Sequence, residues 1–162
     1  CLGANGDFSL DDIDTATSEE ARILYVGGYL AMPAFRPGHL VQLFREAKKR
    51  GLITVLDVVI PAGYAVSIKD IQDVLPYTDV FLPNLDEARA LTGQNDPMDQ
   101  ANILARLNPK CTVVITQGKA GTLVRQGDQI IRAGVFQVDS VDESGAGDAF
   151  SAGFLVGVLC QG

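Results

Sequence analysis

A glycine-rich turn that leads directly into an apolar segment is the part of this sequence best suited to chemistry. Residues 142–148 read Asp-Glu-Ser-Gly-Ala-Gly-Asp. If a helix begins here, its first backbone N–H groups have no partner within the helix and lie at the positive end of its dipole, so the turn can bind an anion. Asp148 could face the same point, where it would repel the anion unless it had a chemical task. Accepting a proton from a hydroxyl that attacks a phosphoryl group is such a task.

Simpler interpretations of this turn exist. An aspartate in the first turn of a helix often only interacts with the helix dipole. A Gly-x-Gly before a helix can also belong to a dinucleotide-binding fingerprint, but Phe150 stands where that motif has its third glycine, and the preceding residues are polar. The sequence contains no Gly-x-x-x-x-Gly-Lys-Ser/Thr loop. The pattern therefore disfavours both of these common nucleotide-binding folds.

Strands and helices alternate along the chain before this turn. Short apolar runs predict strands at 22–26, 52–56, 79–82 and 111–116, followed by a hairpin around Gly127-Asp128. Helical spacing and capping residues predict helices at 38–50, 67–75, 84–91, 97–107 and 145–160. Because each strand is apolar throughout, the pattern predicts an α/β fold with a mostly parallel sheet covered by helices on both faces.

The last predicted helix is apolar on nearly all sides. This composition predicts a buried helix. Gly153 and Gly157 would each cost up to ~1 kcal/mol in an exposed helix, so we expect them to allow close packing against a strand.

The composition limits the class of protein. With 162 residues, 47% of them hydrophobic, the chain is long enough for one domain and too apolar for a disordered one. A net charge of −7 argues against a nucleic-acid partner. Three scattered cysteines and one histidine form no metal-binding spacing, and we expect reduced thiols in a cytoplasmic protein. No apolar run reaches the ~18 residues of a membrane span, so no membrane partner is expected.

Three separated stretches resemble motifs of the PfkB, or ribokinase-like, carbohydrate kinases. Residues 142–155 (DESGAGDAFSAGFL) look like the C-terminal signature of that family. Residues 83–88 (PNLDEA) resemble its Asn-x-x-Glu motif, and residues 116–121 (TQGKAG) resemble its strand-end nucleotide loop. The resemblance implies a three-layer ribokinase-like fold. It also implies an ATP-dependent phosphotransferase acting on a hydroxyl of a small-molecule sugar or sugar acid.

The resemblance further implies a role for each residue of the turn. Asp148 would be the catalytic base. Gly145, Ala146 and Gly147 would form the anion hole for the charge that develops on the transferred phosphoryl group. Preorganised amides of this kind act strongly where water is excluded.

The nucleotide would lie along the other two motifs. Thr116, Gly118 and Gly121 would contact the ATP phosphates and ribose, because glycines let backbone amides approach oxygen atoms closely. Asn84 and Glu87 would share one face at a helix start and arrange Mg²⁺ and phosphate, with water completing the shell. Asn84 thus belongs to both the nucleotide and the metal set. The alternative for Glu87 is a partner of the helix dipole.

One further acid is assigned through the resemblance alone: Asp142 matches the acid that precedes the anion hole, where some relatives bind a monovalent cation. The resemblance thus implies a K⁺ site at Asp142, and Asp142 joins the metal set. Asp57, at the end of the second predicted strand, matches another family acid but lacks the asparagine that often follows two positions later.

The ends of the chain and the identity of the acceptor leave alternatives open. The chain begins at Cys1 and stops at Gly162 after a helix-like segment, so we expect a C-terminal nucleotide-binding and catalytic portion without the N-terminal acceptor and lid half. Residues 25–32 (YVGGYLAM) favour a sugar kinase over a kinase of a nucleoside or vitamin alcohol. A non-catalytic fragment is the alternative of a different class. We expect a homo-oligomer.

Overall fold

Six strands form a single sheet in chain order within the part of the chain that the computed structural model describes, residues 3–13, 20–139, 141–142 and 144–160. The strands are β1 Ile23–Val26, β2 Ile53–Leu56, β3 Val80–Phe81, β4 Thr112–Thr116, β5 Thr122–Gln126 and β6 Gln129–Ala133. Strands β1 to β4 run parallel, whereas β5 and β6 are antiparallel to their neighbours. The predicted mostly parallel sheet and the hairpin at Gly127-Asp128 are confirmed.

Capping residues fix where the helices begin and end. The helices are α1 Pro37–Lys49, α2 Leu85–Thr92, α3 Pro97–Leu107 and α4 Ala146–Cys160. The side chain of Asn84 caps α2 and that of Asp96 caps α3, each by accepting from two backbone N–H groups. Gly93 ends α2 in the left-handed conformation that glycine adopts without strain.

Alternating side chains along the strands divide the interior into two cores. Leu56, Phe81 and Ile115 point into a large cluster that includes the buried faces of α1, α2 and α3. Their strand neighbours Val55, Val80 and Val114 form a smaller cluster on the opposite face, against which α4 packs. Helices therefore cover both faces of the sheet, as the sequence predicts. The carboxyl ends of the four parallel strands share one edge of this arrangement.

The predicted helix at 67–75 is wrong. This stretch holds two short 3₁₀ turns, Ile68–Asp70 and Leu75–Tyr77, joined by further turns. Pro76 has no backbone N–H, so it cannot donate to the carbonyl of residue 72 and continue an α-helix. Ile71 and Val74 are nevertheless fully buried, which explains why their spacing looks helical.

The predicted burial of α4 is also wrong. Ser151 is its one buried residue, and Val156 is 60% exposed. One face packs on the sheet through Phe150 and its neighbours, and no element of the described residues covers the other face. A Cβ at Gly153 or Gly157 would meet no atom within 4 Å, so these glycines do not serve close packing here.

The termini Cys1 and Gly162 lie outside the described residues, as does Glu143. Among the helices of the described ranges, none is both long enough and apolar enough to cross a lipid bilayer.

Candidate active site

Backbone hydrogen bonds bring the ends of the parallel strands into one continuous edge. The N–H of Asp57, directly after β2, donates to the Val26 carbonyl at 2.9 Å. Asn84, after β3, forms a parallel bridge with Thr116 at the end of β4, and the Thr116 N–H donates to the Pro83 carbonyl at 3.2 Å. In open α/β sheets, ligands bind outside the carboxyl ends of the strands. Asn84 and Thr116 therefore lie together at the edge where a ligand is expected.

The glycine-rich turn begins α4 as the sequence predicts. Gly145 has φ of +78°, a left-handed conformation that disfavours any other residue. The Ala149 N–H donates to the Gly145 carbonyl at 2.9 Å, which is the first α-helical hydrogen bond. The N–H groups of Ala146, Gly147 and Asp148 precede that bond and have no partner within the helix. All four residues from 145 to 148 are exposed, so this end of α4 is open to a ligand.

Asp148 lies beside a pair of residues from β1 and the end of β2. The Tyr25 hydroxyl donates to Asp57 Oδ2 at 2.7 Å. Burial raises the pKa of Asp57, the charge of Asp148 raises it further, and the Tyr25 hydrogen bond opposes the rise. Burial and the charges of Asp57 and Asp148 also raise the pKa of the Tyr25 phenol, whereas interaction with Ser151 lowers it. Tyr25, Asp57, Asp148 and Ser151 therefore form one polar cluster.

Sequence reasoning missed most of this cluster. The sequence identifies Asp57 as a strand-end acid that matches the resembled family, but it predicts no site role for it. Tyr25 and Ser151 were not predicted as site residues. One signal was available for Tyr25: it is a tyrosine inside an apolar strand, two residues before a pair of glycines.

A reciprocal hydrogen-bond pair fixes the start of α2. Asn84 Oδ1 accepts from the N–H groups of Asp86 and Glu87 at 3.0 and 2.9 Å, and the Asn84 N–H donates to Glu87 Oε2 at 2.8 Å. Burial raises the pKa of Glu87 to about 7, the Asp57 charge adds to this rise, and the hydrogen bond from the Asn84 N–H opposes it. Glu87 therefore caps the start of α2, a contact that the sequence did not predict. It is also close enough to Asp57 for the two charges to interact.

The loop after β4 depends on two glycines. The Gln117 N–H donates to the Gly121 carbonyl at 2.8 Å, and the Gly121 N–H donates to the Gly118 carbonyl at 3.0 Å. Gly118 has φ of +54° and Gly121 has φ of +91°. A Cβ at Gly121 would overlap the carbonyl oxygen of Ala133. The loop is thus folded tightly onto β6 while Gly118 remains exposed.

Asp142 forms a hydrogen bond within its own turn. Its Oδ1 accepts from the Ser144 N–H at 2.8 Å, and this bond lowers the pKa of the exposed Asp142 carboxyl. In the described part of the chain, no hydrogen bond joins Asp142 to Asn84 or to Glu87.

The chemistry of the half-buried carboxyls fits a hydrated divalent cation. Asp57 and Glu87 are partly desolvated and repel each other, and a cation nearby would relieve both effects. Among the described residues, no three Asp, Glu, His or Cys side chains are grouped to ligate a metal directly. Mg²⁺ takes oxygen ligands and usually keeps several waters, so these carboxyls suit contact through water.

Comparison with known proteins agrees with the fold and the motifs. The family model described as "pfkB family carbohydrate kinase" matches residues 1–162. The adenosine kinase of Schizosaccharomyces pombe is 29% identical over 99% of this chain and 52% of its own length. The ribokinase of Staphylococcus aureus is 30% identical over 94% of this chain and 49% of its own length.

Solved structures show the same architecture. A PfkB protein from Polaromonas sp. JS666 superposes with a TM-score of 0.73 and 25% identity over 95% of this chain and 52% of that chain. An adenosine kinase from Sinorhizobium meliloti gives a TM-score of 0.74 at 23% identity, over 98% of this chain and 47% of that one. The chain spans about half the length of these relatives. On the family match over its whole length, it belongs to the pfkB family of carbohydrate kinases.

Proposed function

We propose that the whole protein transfers the γ-phosphoryl group of ATP to a hydroxyl of a small sugar. The observation that carries this proposal is the start of α4, where Asp148 follows the left-handed Gly145 at the open carboxyl edge of the sheet. The relatives are about twice as long as this chain, which supports the assignment of residues 1–162 to the nucleotide-binding and catalytic portion. Most acceptor contacts then come from elsewhere in the protein.

In this proposal Asp148 is the catalytic base. Its carboxylate accepts the proton of the acceptor hydroxyl while that oxygen attacks the phosphoryl group, and positioning together with charge stabilisation supplies the rest of the rate enhancement. Gly145, Ala146 and Gly147 present the unpaired N–H groups of the helix start to the transferring group. These amides stabilise negative charge as it develops on the phosphoryl oxygens.

The nucleotide is assigned to the adjacent strand ends. Thr116 and Asn84 are joined by a backbone bridge, and the tight loop through Gly118 and Gly121 follows directly. We assign the ATP phosphates and ribose to this surface, because exposed backbone in a glycine loop can approach oxygen atoms without a Cβ in the way.

Mg²⁺ is assigned to Glu87 and Asn84, with water between the ion and the side chains. When bound, the ion neutralises charge on the ATP phosphates. Glu87 then needs to be ionised, which a neighbouring cation favours. We keep Asp142 as the candidate for a separate K⁺ site next to the anion hole.

The names of the relatives narrow the class of acceptor substrate but do not identify one compound. Their names include ribokinase, deoxyribokinase, adenosine kinase and cytidine kinase, all of which act on compounds that contain a ribose or deoxyribose unit. A free sugar is the first candidate, on the YVGGYLAM segment, and a nucleoside is the second. Competition between ribose and adenosine for phosphorylation by the whole protein distinguishes them.

The assignment of the base is tested with Asp148→Asn in the whole protein. We expect kcat to fall by ~10²–10⁴, the range typical for loss of a general base, with little change in the KM for ATP. Asp128→Asn is the matched control, because Asp128 is an exposed aspartate in the β5–β6 turn, away from this edge. Near-normal kcat in Asp148→Asn would show that the base lies elsewhere.

A further inference from the structure

The side chain of Tyr25 reaches from β1 to the polar residues at the end of β2. In the parallel register Tyr25 lies opposite Val55, two residues before Asp57. The chain folds so that its hydroxyl donates to Asp57 Oδ2 at 2.7 Å across 32 positions of sequence. The backbone bond from the Asp57 N–H to the Val26 carbonyl holds the two segments together beneath this contact. The hydrogen bond therefore joins two rigid elements.

The absence of a side chain at Gly27 makes room for this pose. A Cβ at Gly27 would lie 2.8 Å from Tyr25 Cε1 and 3.2 Å from the Tyr25 hydroxyl oxygen. The Tyr25 ring thus occupies the space that a residue with a side chain would fill. Gly27 does not have a positive φ, so backbone conformation alone does not require glycine there.

The Tyr25–Asp57 pair lies close to the start of α4. Asp148 and Ser151, three residues apart, share a face of this helix. The Asp148 charge acts on both Tyr25 and Asp57, and Ser151 interacts with the Tyr25 hydroxyl. Glu87 from α2 adds a further acidic group near Asp57. The carboxyl groups of Asp57, Asp148 and Glu87 thus lie along one edge of the sheet. Among the described contacts, Asp57 is the one of the three that accepts a hydrogen bond from a phenol.

We infer that Tyr25 is a positioning residue, whose hydroxyl holds the Asp57 carboxylate in place beside Asp148. This inference rests on the proposed role of Asp148 as the base. A carboxylate that accepts a hydrogen bond from a donor on a rigid strand keeps one orientation, so the acceptor hydroxyl meets a fixed arrangement of the Asp57 and Asp148 carboxyl groups. The Tyr25 hydroxyl is that donor for Asp57, and the absence of a side chain at Gly27 leaves the space in which it reaches Oδ2.

The kinetic test is a double-mutant cycle in the whole protein. Tyr25→Phe keeps the ring and removes the donor, and we expect kcat to fall about tenfold, the order of one hydrogen bond to a charged group, with the KM for ATP changed less than about twofold. In an Asp57→Asn background, Tyr25→Phe should change kcat by less than about twofold, because the partner carboxylate is gone. Tyr77→Phe is the control, since Tyr77 stacks with Arg45 at the opposite edge of the sheet.

A second variant moves the Tyr25 ring without removing its hydroxyl. The Cβ of Gly27→Ala displaces the ring from Asp57, so we expect kcat to fall in the same direction as in Tyr25→Phe. Wild-type kcat in both variants would overturn the inference. A tenfold loss for Tyr25→Phe that persists in the Asp57→Asn background would also overturn it, since the hydroxyl would then act through a partner other than the Asp57 carboxylate.

An NMR readout separates this inference from the proposed function. In protein labelled with ¹³Cζ-tyrosine, the Tyr25 resonance is the one absent from Tyr25→Phe. We expect it to move in Asp57→Asn and, by a smaller amount, in Asp148→Asn, but not in Asp128→Asn. An unmoved resonance in Asp57→Asn overturns the inference whatever the activity. If the resonance moves but Asp148→Asn keeps full kcat, the contact stands, the proposed base is wrong, and the positioning role falls with it.

Discussion

The backbone N–H of Asn84 donates to the Glu87 carboxylate at 2.8 Å, while the Asn84 side chain accepts from the Glu87 N–H at 2.9 Å. This reciprocal pair is a capping box, which satisfies two backbone donors at the start of α2. The same two residues are those to which we assign Mg²⁺. A stabilising role and a metal-related role therefore overlap in Glu87, and substitutions have to separate them.

Glu87→Gln separates the two roles, because glutamine also forms a capping box but carries no charge. In the whole protein we expect this variant to raise the Mg²⁺ concentration for half-maximal rate about tenfold, as is usual for residues that support a metal indirectly. The KM for the acceptor should change much less. The exposed Glu46, paired with Lys49 on α1, provides the control Glu46→Gln. An unchanged Mg²⁺ dependence would leave Glu87 with its capping role alone.

The raised pKa of Glu87 predicts a dependence of stability on pH. The folded protein holds this proton up to about pH 7, whereas the ordinary pKa of a glutamate is 4.5. Between these values the folded state binds the proton and the unfolded state does not, so the free energy of unfolding falls as the pH rises. This contribution is fully present below about pH 4.5 and is lost above about pH 7.

The measurement is urea denaturation of wild type and Glu87→Gln across pH 5–8 without Mg²⁺. Because Asp57 also has a raised pKa, the prediction concerns the difference between the two proteins. Glu87→Gln should gain stability relative to wild type as the pH rises. A difference that stays constant with pH would show that Glu87 titrates normally.

The sequence predicted those features that local chemistry determines. The strands β1 to β4 and the glycine turn at 145–147 follow from apolar runs and residue types, and all are found near their predicted bounds. The Tyr25–Asp57 hydrogen bond could not be predicted, because it depends on strand register and on the space above Gly27. Tertiary context also decided the two wrong predictions. The apolar residues at 67–75 have helical spacing because they are buried in a series of turns. The apolar composition of α4 does not reveal which face of the helix packs against another element.

Gly121 is predicted to be far more sensitive to substitution than Gly118. Both have positive φ, but only a Cβ at Gly121 would overlap the Ala133 carbonyl oxygen. We expect Gly121→Ala to lower the free energy of unfolding by about 3 kcal/mol, from backbone strain and overpacking together. Gly118→Ala should cost about 1–2 kcal/mol, the strain of a left-handed residue alone. Denaturation curves test which variant loses more free energy of unfolding. Equal losses would show that the backbone near Ala133 shifts to accommodate the new Cβ.

If the loop holds ATP as proposed, Gly121→Ala should also raise the KM for ATP. The comparison with Gly118→Ala is again informative, since Gly118 is exposed and its Cβ would meet no protein atom within 4 Å. No atom of the described residues lies within 4 Å of a Cβ at Gly118, so such a Cβ would meet a nucleotide if one is bound at this loop. A higher KM for ATP in Gly118→Ala, with a small loss of stability, would support the assignment of the phosphates to this loop.

The last prediction concerns association of the 162-residue chain when it is produced alone. Phe136 is 95% exposed, Val138 and Val141 are also largely exposed, and α4 leaves Val156 uncovered. A few hundred Å² of bare apolar surface corresponds to several kcal/mol of missing burial at ~25 cal/mol per Å², which is a large share of a typical stability of ~5–15 kcal/mol. We therefore expect this chain to associate or to be poorly soluble, and to phosphorylate no sugar.

Sedimentation of Phe136→Ser/Val138→Ser identifies the surface responsible. Removing these two apolar side chains should shift the chain towards the monomer, because the segment after β6 then offers little apolar area for contact. Gln129→Ser, at an exposed position of β6, removes no apolar area and should sediment like the unmodified chain. If the unmodified chain is a monodisperse monomer that releases ADP in the presence of a sugar, the exposed segment does not drive association, and the acceptor site lies within these 162 residues after all.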